Sequence, residues 1–395
     1  MSRKSSNTST DLNHTSRKLR VAKKVFVGLS GGVDSAVSAA LLKEATPNNF
    51  EKLFGRPTPE GFRGYDVTGV FIKAWQPEWL PCTWREERRD AMKVAIALDI
   101  PFLFFDFGEE YKKGVVDKMV SEYKAGRTPN PDVLCNREIK FGIFWQKAKE
   151  MGADFIATGH YSQVEEVDKL YKLKEGEDKE KDQSYFLWTL TQEDLQHTLF
   201  PIGHLKKEGV RRLALKYDLP VAEKKDSQGI CFLGDVSMEE FLSHFIKSER
   251  GSILDTEGQV VGTHSGAVHY TIGERRGLEI SKKSTDAPPF YVVSKDIETN
   301  TLVVSNIEKD ITSMSPKKIS LSDTNWINEP SPDSKLTARI RYRGEKLPVT
   351  IRGSKDEAWE IEFDEPVRSL SLGQSVVFYS REKCLGGAIM DREVS

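Results

Sequence analysis

A doubly wound α/β sheet followed by a small β-barrel is the fold class this sequence predicts, and three observations carry that expectation. Apolar, β-branched or aromatic runs of strand length recur at 23–29, 65–75, 101–107 and 154–161, with helical patterns between them. The first run leads directly into SGGVDS at 30–35, a glycine-rich turn from strand to helix. From about residue 306 the rhythm shifts to short runs alternating apolar and polar residues with turn residues between them, the pattern of a closed antiparallel sheet.

Taken in order, residues 1–22 are Ser/Thr-rich and basic, which suits a disordered tail. A mitochondrial transit peptide has similar composition, but the stretch lacks the apolar face of a targeting helix. A parallel-sheet domain is expected over 23–232: KKVFVGL, YDVTGVFIKAW, PFLFFDF and DFIATGHY as strands, SAVSAALLKEA, WREERRDAMKVAIALD and EEYKKGVVDKMVSEYKAG as crossover helices. The Pro/Gly-punctuated stretch 46–64 reads as a loop insertion, and KEGEDKEKD at 174–182 as a solvated loop. Residues 233–305, a short helical piece followed by Gly-rich segments, read as a small central domain. Over 306–392, LTARIRYRG, LPVTIRG, AWEIEFDE, QSVVFYS and CLGGAIM supply barrel strands.

Composition excludes several classes. No run of 18 apolar residues exists to span a membrane. Four cysteines among 395 residues are too few for a disulfide framework, and their spacing matches no zinc site, so a reducing compartment is expected and no metal ligands are assigned. A net charge of −2 means that any nucleic-acid partner is held by a local basic face.

Two motifs carry chemistry. In SGGVDS, the glycines and the backbone N–H groups near Asp34 and Ser35 form an anion cradle at a helix N-terminus. The Lys-Ser/Thr ending of a Walker A loop is absent, which argues against ordinary γ-phosphate transfer. In RTPNPDVLCNREIKF at 127–141, a helix starting around Asn136 places the Cys135 thiol at or near its N-terminus, beside Arg127, Arg137 and Lys140. An activated thiol and a buried core cysteine are both compatible with that stretch.

The loop looks like that of the pyrophosphatase-loop ATPases, which split ATP between the α- and β-phosphates and adenylate an oxygen; GMP synthetase, argininosuccinate synthetase, tRNA lysidine synthetase and the tRNA thiolases share it. The later segments GRTPNPDVLCNREIKF, ATGHY, KDQSYFL, KKDSQGICF, GQSVVFY and CLGG, in order across 23–390, resemble the tRNA-specific 2-thiouridylase family. That resemblance implies an adenine nucleotide alpha hydrolase-like first domain and replacement of the C2 oxygen of the wobble uridine by sulfur in tRNAs for Lys, Glu and Gln. It implies ATP with Mg²⁺, bound by Gly28, Leu29, Ser30, Gly31, Gly32, Val33, Asp34, Ser35, Ile72 and Gly159. Cys231 is then the persulfide carrier, Cys135 the partner thiol and Asp132 the general acid/base. Contacts to tRNA fall to Asn130, Pro131, Asp132, His160, Lys181, Asp182 and Gln183, and to Arg341, Tyr342 and Gln374 on barrel strands.

The partners so implied are tRNA and a sulfur donor, either a cysteine desulfurase or a sulfur-relay protein, acting on a monomer. The bacterial-type motifs point to the cytoplasm, with the mitochondrial matrix as the other host of the family. Burial is expected for Cys82, among Trp75, Trp79 and Trp84, and for Cys384. A tRNA-binding protein with a regulatory nucleotide site is the competing reading, opposed by retention of SGGVDS, Asp132, Cys135 and Cys231. Other adenylating ligases lack the paired cysteines and the barrel.

Overall fold

The structure is a computed structural model that describes residues 22–225, 236–281, 288–313, 315–331, 334–354, 357–368 and 370–394. Its first sheet has five strands in the order β3-β2-β1-β4-β7, from β1 (Lys23–Gly28), β2 (Tyr65–Lys73), β3 (Phe102–Asp106), β4 (Phe155–Ala157) and β7 (Thr198–Leu199). All four pairings are parallel. Helices cover both faces, so Val25, Phe26, Val27, Val67 and Val70 are all buried, which is why the central strands read as unbroken apolar runs. Successive strands turn opposite ways from β1, toward β2 on one side and β4 on the other. The crevice beyond the carboxyl ends of β1 and β4 is therefore the topological switch point, where open α/β sheets bind ligands.

Strand β4 is shorter than the apolar run 154–161 suggested. Its last residues, Thr158 to Tyr161, leave the sheet and turn toward the switch point. Residues 46–64 are more than a loop. They hold the helix Phe50–Phe54, whose two phenylalanine rings pack with Phe62 and Tyr65 into an aromatic cluster against the first helix, Val33–Glu44.

A hairpin that the sequence reading did not separate, β5 (Ser162–Val167) with β6 (Leu170–Glu175), leaves this domain and joins the C-terminal sheet. In between lies a central sheet, β10-β9-β8-β12-β11, built from β8 (Gly251–Leu254), β9 (Val260–His264), β10 (Glu279–Ile280), β11 (Tyr291–Asp296) and β12 (Thr301–Ser305). The short helix Glu308–Ser313 hangs on it, where Asp310 accepts hydrogen bonds from Ser305 and Thr256. The barrel itself opens later, at β13 (Lys318–Trp326), and continues through β14 (Lys335–Arg339), β15 (Leu347–Ser354), β16 (Glu357–Phe363), β17 (Ser375–Ser380) and β18 (Lys383–Glu393). Pairing of β13 with β18 closes these six antiparallel strands, and β18 pairs with β6 on its other side at Cys384↔Leu173 and Lys383↔Lys174.

The charged stretch 174–182 is not a solvated loop, because its ends are buried against the barrel. Arg339 Nη1 donates to Asp182 Oδ2 at 2.6 Å, while Arg339 Nη2 and Lys346 Nζ lie 3.1 and 2.8 Å from Glu175 Oε1. The other Asp182 oxygen accepts from the Gly176 and Ser184 backbone N–H groups at 3.0 and 3.1 Å. Both cations also lie over the Tyr379 ring. Asp182 is thus committed to the domain junction. Removing one partner of such a cluster strands a buried charge, so Asp182→Ala should cost about 3–5 kcal/mol of stability. Urea denaturation checks this; an unchanged midpoint would show that the carboxylate serves something other than the junction.

Candidate active site

The phosphate-type loop begins where β1 ends at Gly28. Leu29 N–H still bonds Val70 O at 2.7 Å, and Ser30 to Gly32 then turn into the helix Val33–Glu44. Gly31 has φ +75°, and a Cβ there would lie 2.5 Å from the Glu87 carbonyl oxygen, so both conformation and space demand glycine. Ser35 closes the turn: its hydroxyl donates to Gly32 O, accepts from Ser30 N–H and meets Ser30 Oγ, each at 3.2 Å. Gly159, arriving from β4, packs so tightly on the same turn that a Cβ would lie 2.7 Å from Ser35 N. Ile72 lies half-buried at the carboxyl end of β2.

Asp34 does not face this loop alone. Its carboxylate accepts from Lys207 Nζ at 2.9 Å on both oxygens and from Tyr161 O–H at 2.8 Å. Lys207 opens the helix Lys207–Lys216 and lies 173 positions away in the chain, so no local signal marks it.

The second wall is the segment 127–135. Its helix starts earlier than the sequence reading placed it: Asn130 is the N-cap, its Oδ1 accepting from Asp132 and Val133 N–H at 3.2 and 3.3 Å, and Pro131 is the first helical residue. Cys135 therefore sits one turn inside the helix and is 6% exposed. Beyond it the helix widens into π-type turns over Asn136–Ile143 before Phe144–Glu150. Insertions of this kind recur at functional sites. Asp132 is half-buried at the second helical position, and burial holds its carboxyl above the usual range against the opposing pull of Lys140. The same Lys140 acts on His160, whose pKa is driven well below its ordinary value, first by burial and then by that charge. His160 is neutral at physiological pH, its Nδ1 2.8 Å from Thr158 Oγ1 and its ring between Phe141 and Phe200.

The barrel and the central domain hold this segment in place. Thr128 N–H donates to Leu372 O at 2.9 Å, and Gln374 Nε2 donates to the Thr128 and Pro129 carbonyls at 2.9 and 3.3 Å. Gly373 has φ +88°, with room for no side chain between it and Arg127. Arg127 is itself held by Glu122 and, across the junction, Asp391. Thr128 Oγ1 meets Thr271 Oγ1 of the central domain at 3.3 Å.

The remaining expected tRNA contacts divide into two groups. Arg341 and Tyr342 lie in the turn after β14 rather than on a strand, Arg341 exposed and Tyr342 packed on Phe186 at 4.5 Å. This turn reaches the Asn130 side of the site, since Tyr185 is influenced by both the Asn130 amide and the Arg341 charge. Asp182, Gln183 and Gln374 serve internal bonds; Gln183 Oε1 accepts from Tyr161 N–H at 2.9 Å, and Gln374 precedes β17 instead of lying within it. Lys181 is half-buried beside them.

Cys231 lies outside the described residues, but the chain on either side of it is anchored. Before it, Lys224 Nζ bonds Asp90 at 2.9 Å on the helix Trp84–Ala97, the helix whose Glu87 touches Gly31. After it, Phe241 and His244 of the segment around the helix Met238–Ser243 pack on Trp75 and Trp79, with the His244 ring stacked on Trp79 at 3.8 Å. Contrary to expectation, Cys82 is exposed. Cys384 is buried as expected, and burial pushes its thiol up to about 12.

Three family descriptions match the chain in order: "tRNA methyl transferase HUP domain" at 23–54 and 61–235, "tRNA methyl transferase PRC-barrel domain" at 239–306 and "Aminomethyltransferase beta-barrel domain" at 316–390. The chain is 43% identical over 374 residues to tRNA-specific 2-thiouridylase MnmA 2 of Geobacillus kaustophilus, covering 93% of this chain and 94% of that one. It is 43% identical to tRNA-specific 2-thiouridylase MnmA of Nitrosomonas europaea, over 93% of this chain and 98% of that one. Among solved structures, the U34-tRNA thiolase NcsA of Methanococcus maripaludis aligns over 56% of this chain and 64% of its own at 18% identity, with a TM-score of 0.33, too low to bear on fold or activity. Similarity at this level along nearly the whole length, through all three domains, makes the chain a member of the tRNA-specific 2-thiouridylase family.

Proposed function

We propose that the chain carries out ATP-dependent 2-thiolation of the wobble uridine of tRNA, in tRNAs of the Lys, Glu and Gln type. The observation that carries this reading is the link between a glycine loop without a Walker lysine and the helix that starts Asn130-Pro131-Asp132 and holds Cys135 one turn in: Gly159 packs on the loop at Ser35, and the adjacent His160 feels the same Lys140 charge as Asp132. The urea-like C2 of uridine is a poor electrophile with a poor leaving group. The loop around Gly31 to Ser35 cradles the leaving pyrophosphate while the uridine O2 attacks the α-phosphorus; Mg²⁺ brought in with ATP would supply charge neutralisation at the phosphates. Asp132, whose carboxyl burial holds above the usual range, handles the proton exchanged at the base.

Sulfur then adds at C2 and AMP leaves. Its source is a persulfide on Cys231, charged by a cysteine desulfurase or a sulfur-relay protein. Cys135 attacks that persulfide and releases hydrosulfide, leaving a Cys135–Cys231 disulfide for an external thiol to reduce, or it assists direct attack by the persulfide. The turn bearing Arg341 and Tyr342 offers RNA a cation and a ring beside Asn130. The cytoplasm, or alternatively the mitochondrial matrix, is the compartment this reading implies.

Three outcomes test the reading. With tRNA and a persulfide donor, ATP should yield AMP and pyrophosphate, and tRNA nucleosides should contain 2-thiouridine by mass spectrometry; ADP with phosphate as the tRNA-dependent products would refute the loop's role. Asp132→Asn should lower turnover by about 10²–10⁴-fold. Its stability should move the other way. A carboxyl whose pKa is raised on folding binds more protons folded than unfolded, so its contribution to stability falls as pH rises from its ordinary value through the raised one. At pH 7 the asparagine variant should therefore be at least as stable as wild type, and a lower melting temperature would make Asp132 structural. Finally, Cys231→Ser should accept no sulfur from a persulfide donor at that position, whereas Cys135→Ser should accept it on Cys231 and form little 2-thiouridine. Full thiolation by Cys135→Ser would return that residue to a core role, while Cys82→Ser and Cys384→Ser, if folded, should remain active.

A further inference from the structure

We infer that Lys207 is a phosphate-positioning residue of the nucleotide site, donating from its ammonium to the pyrophosphate oxygens of ATP. The inference rests on the proposed ATP chemistry and assigns that chemistry a residue lying outside the glycine loop.

Asp34 is the difficulty that points to it. A carboxylate at the second position of the helix Val33–Glu44 stands on the very turn that offers backbone N–H groups to an anion, and unpaired it repels phosphate. Lys207 removes the repulsion: its Nζ is 2.9 Å from both Asp34 oxygens, and its side chain is 13% exposed against 33% for Asp34. The ammonium is thus the more enclosed partner, held at the loop while the carboxylate keeps an open side. Its stem is fixed at both ends, because Lys207 N–H donates to Asp178 Oδ2 at 2.8 Å and the ammonium lies 5.9 Å over the Tyr161 ring, whose hydroxyl also bonds Asp34. Tyr161 follows Gly159 and His160, so the β4 side of the switch point positions Lys207 as well. An ammonium fixed beside a loop of backbone donors supplies what the missing Walker lysine supplies elsewhere, from a different element and approached through a carboxylate.

Lys207→Gln is one bond shorter but keeps an N–H donor while removing the charge; Lys207→Arg keeps the charge. The expected result by titration calorimetry is that Lys207→Gln binds magnesium pyrophosphate about 10–100-fold more weakly than wild type, the scale of one lost charge-assisted hydrogen bond, while Lys207→Arg retains most of the affinity. In turnover, KM for ATP should rise more in Lys207→Gln than kcat falls, with tRNA affinity unchanged. Wild-type affinity for magnesium pyrophosphate in Lys207→Gln would overturn the inference, as would equal losses in the glutamine and arginine variants. If neither variant folds, amine acylation of Lys207 in the wild-type chain decides it: magnesium pyrophosphate should suppress the labelling, and unchanged labelling overturns the assignment. Failure of the wild-type chain to release AMP and pyrophosphate would instead refute the ATP reading, which keeps the two failures apart.

Discussion

The docking of the barrel on the first domain is the constraint from which the rest of the site follows. Strand β6 leaves the parallel-sheet domain to pair with β18, and Glu175 and Asp182 at the end of that hairpin are sealed under Arg339 and Lys346. Buried ion clusters of this kind contribute little net stability, since desolvation offsets much of the attraction. What they do specify is arrangement: two carboxylates and two cations in fixed positions admit one seating of the barrel. Given that seating, the Leu372 carbonyl and the Gln374 amide arrive at Thr128 and Pro129, just ahead of the N-cap at Asn130. The segment 127–130 has no strand or helix of its own to fix it. Its geometry is borrowed from a domain more than 240 residues further along the chain.

Within the site, burial and one cation divide the protonation states. Lys140 favours the ionised form of Asp132 and the neutral form of His160, while burial favours the neutral form of both. For His160 the two effects act together, and the ring is a fixed, uncharged filler between Phe141 and Phe200, bonded to Thr158. For Asp132 they oppose and burial prevails, which leaves a carboxyl able to exchange a proton nearer neutrality than an exposed aspartate does. A histidine in a catalytic-looking motif is thus a fixed packing element, while the carboxyl that feels the same Lys140 is the group proposed to exchange a proton.

Much of this was legible in the sequence wherever a signal is local. The central strands are buried on both faces and so read as unbroken apolar runs. The barrel strands alternate, and SGGVDS is a complete strand-to-helix turn in six residues. Signals that depend on distant partners were not legible. The stretch 174–182 looks solvated because its countercharges, Arg339 and Lys346, sit on strands far along the chain. Strand β7 has two residues, too few for any period to register. The start at Asn130-Pro131 was within reach, for an asparagine cap followed by proline at the first helical position is a recognised opening. The second proline nearby makes the stretch resemble a loop, which hides a helix that begins at Pro131.

The helix Trp84–Ala97 shows how two chemically separate parts of the site share one support. Through the Glu87 carbonyl it forms the wall that leaves Gly31 no room for a side chain, and three residues later Asp90 holds Lys224, just ahead of the segment bearing Cys231. Lys224 also draws on Glu87, whose carboxyl burial holds above its usual range. Lys224, at the start of the stretch leading to Cys231, and the glycine loop are therefore both referenced to adjacent turns of one helix. On the far side of Cys231, Phe241 and His244 are clamped by Trp75 and Trp79, which follow β2 directly. Both ends of the segment are consequently tied to the carboxyl edge of the same parallel sheet.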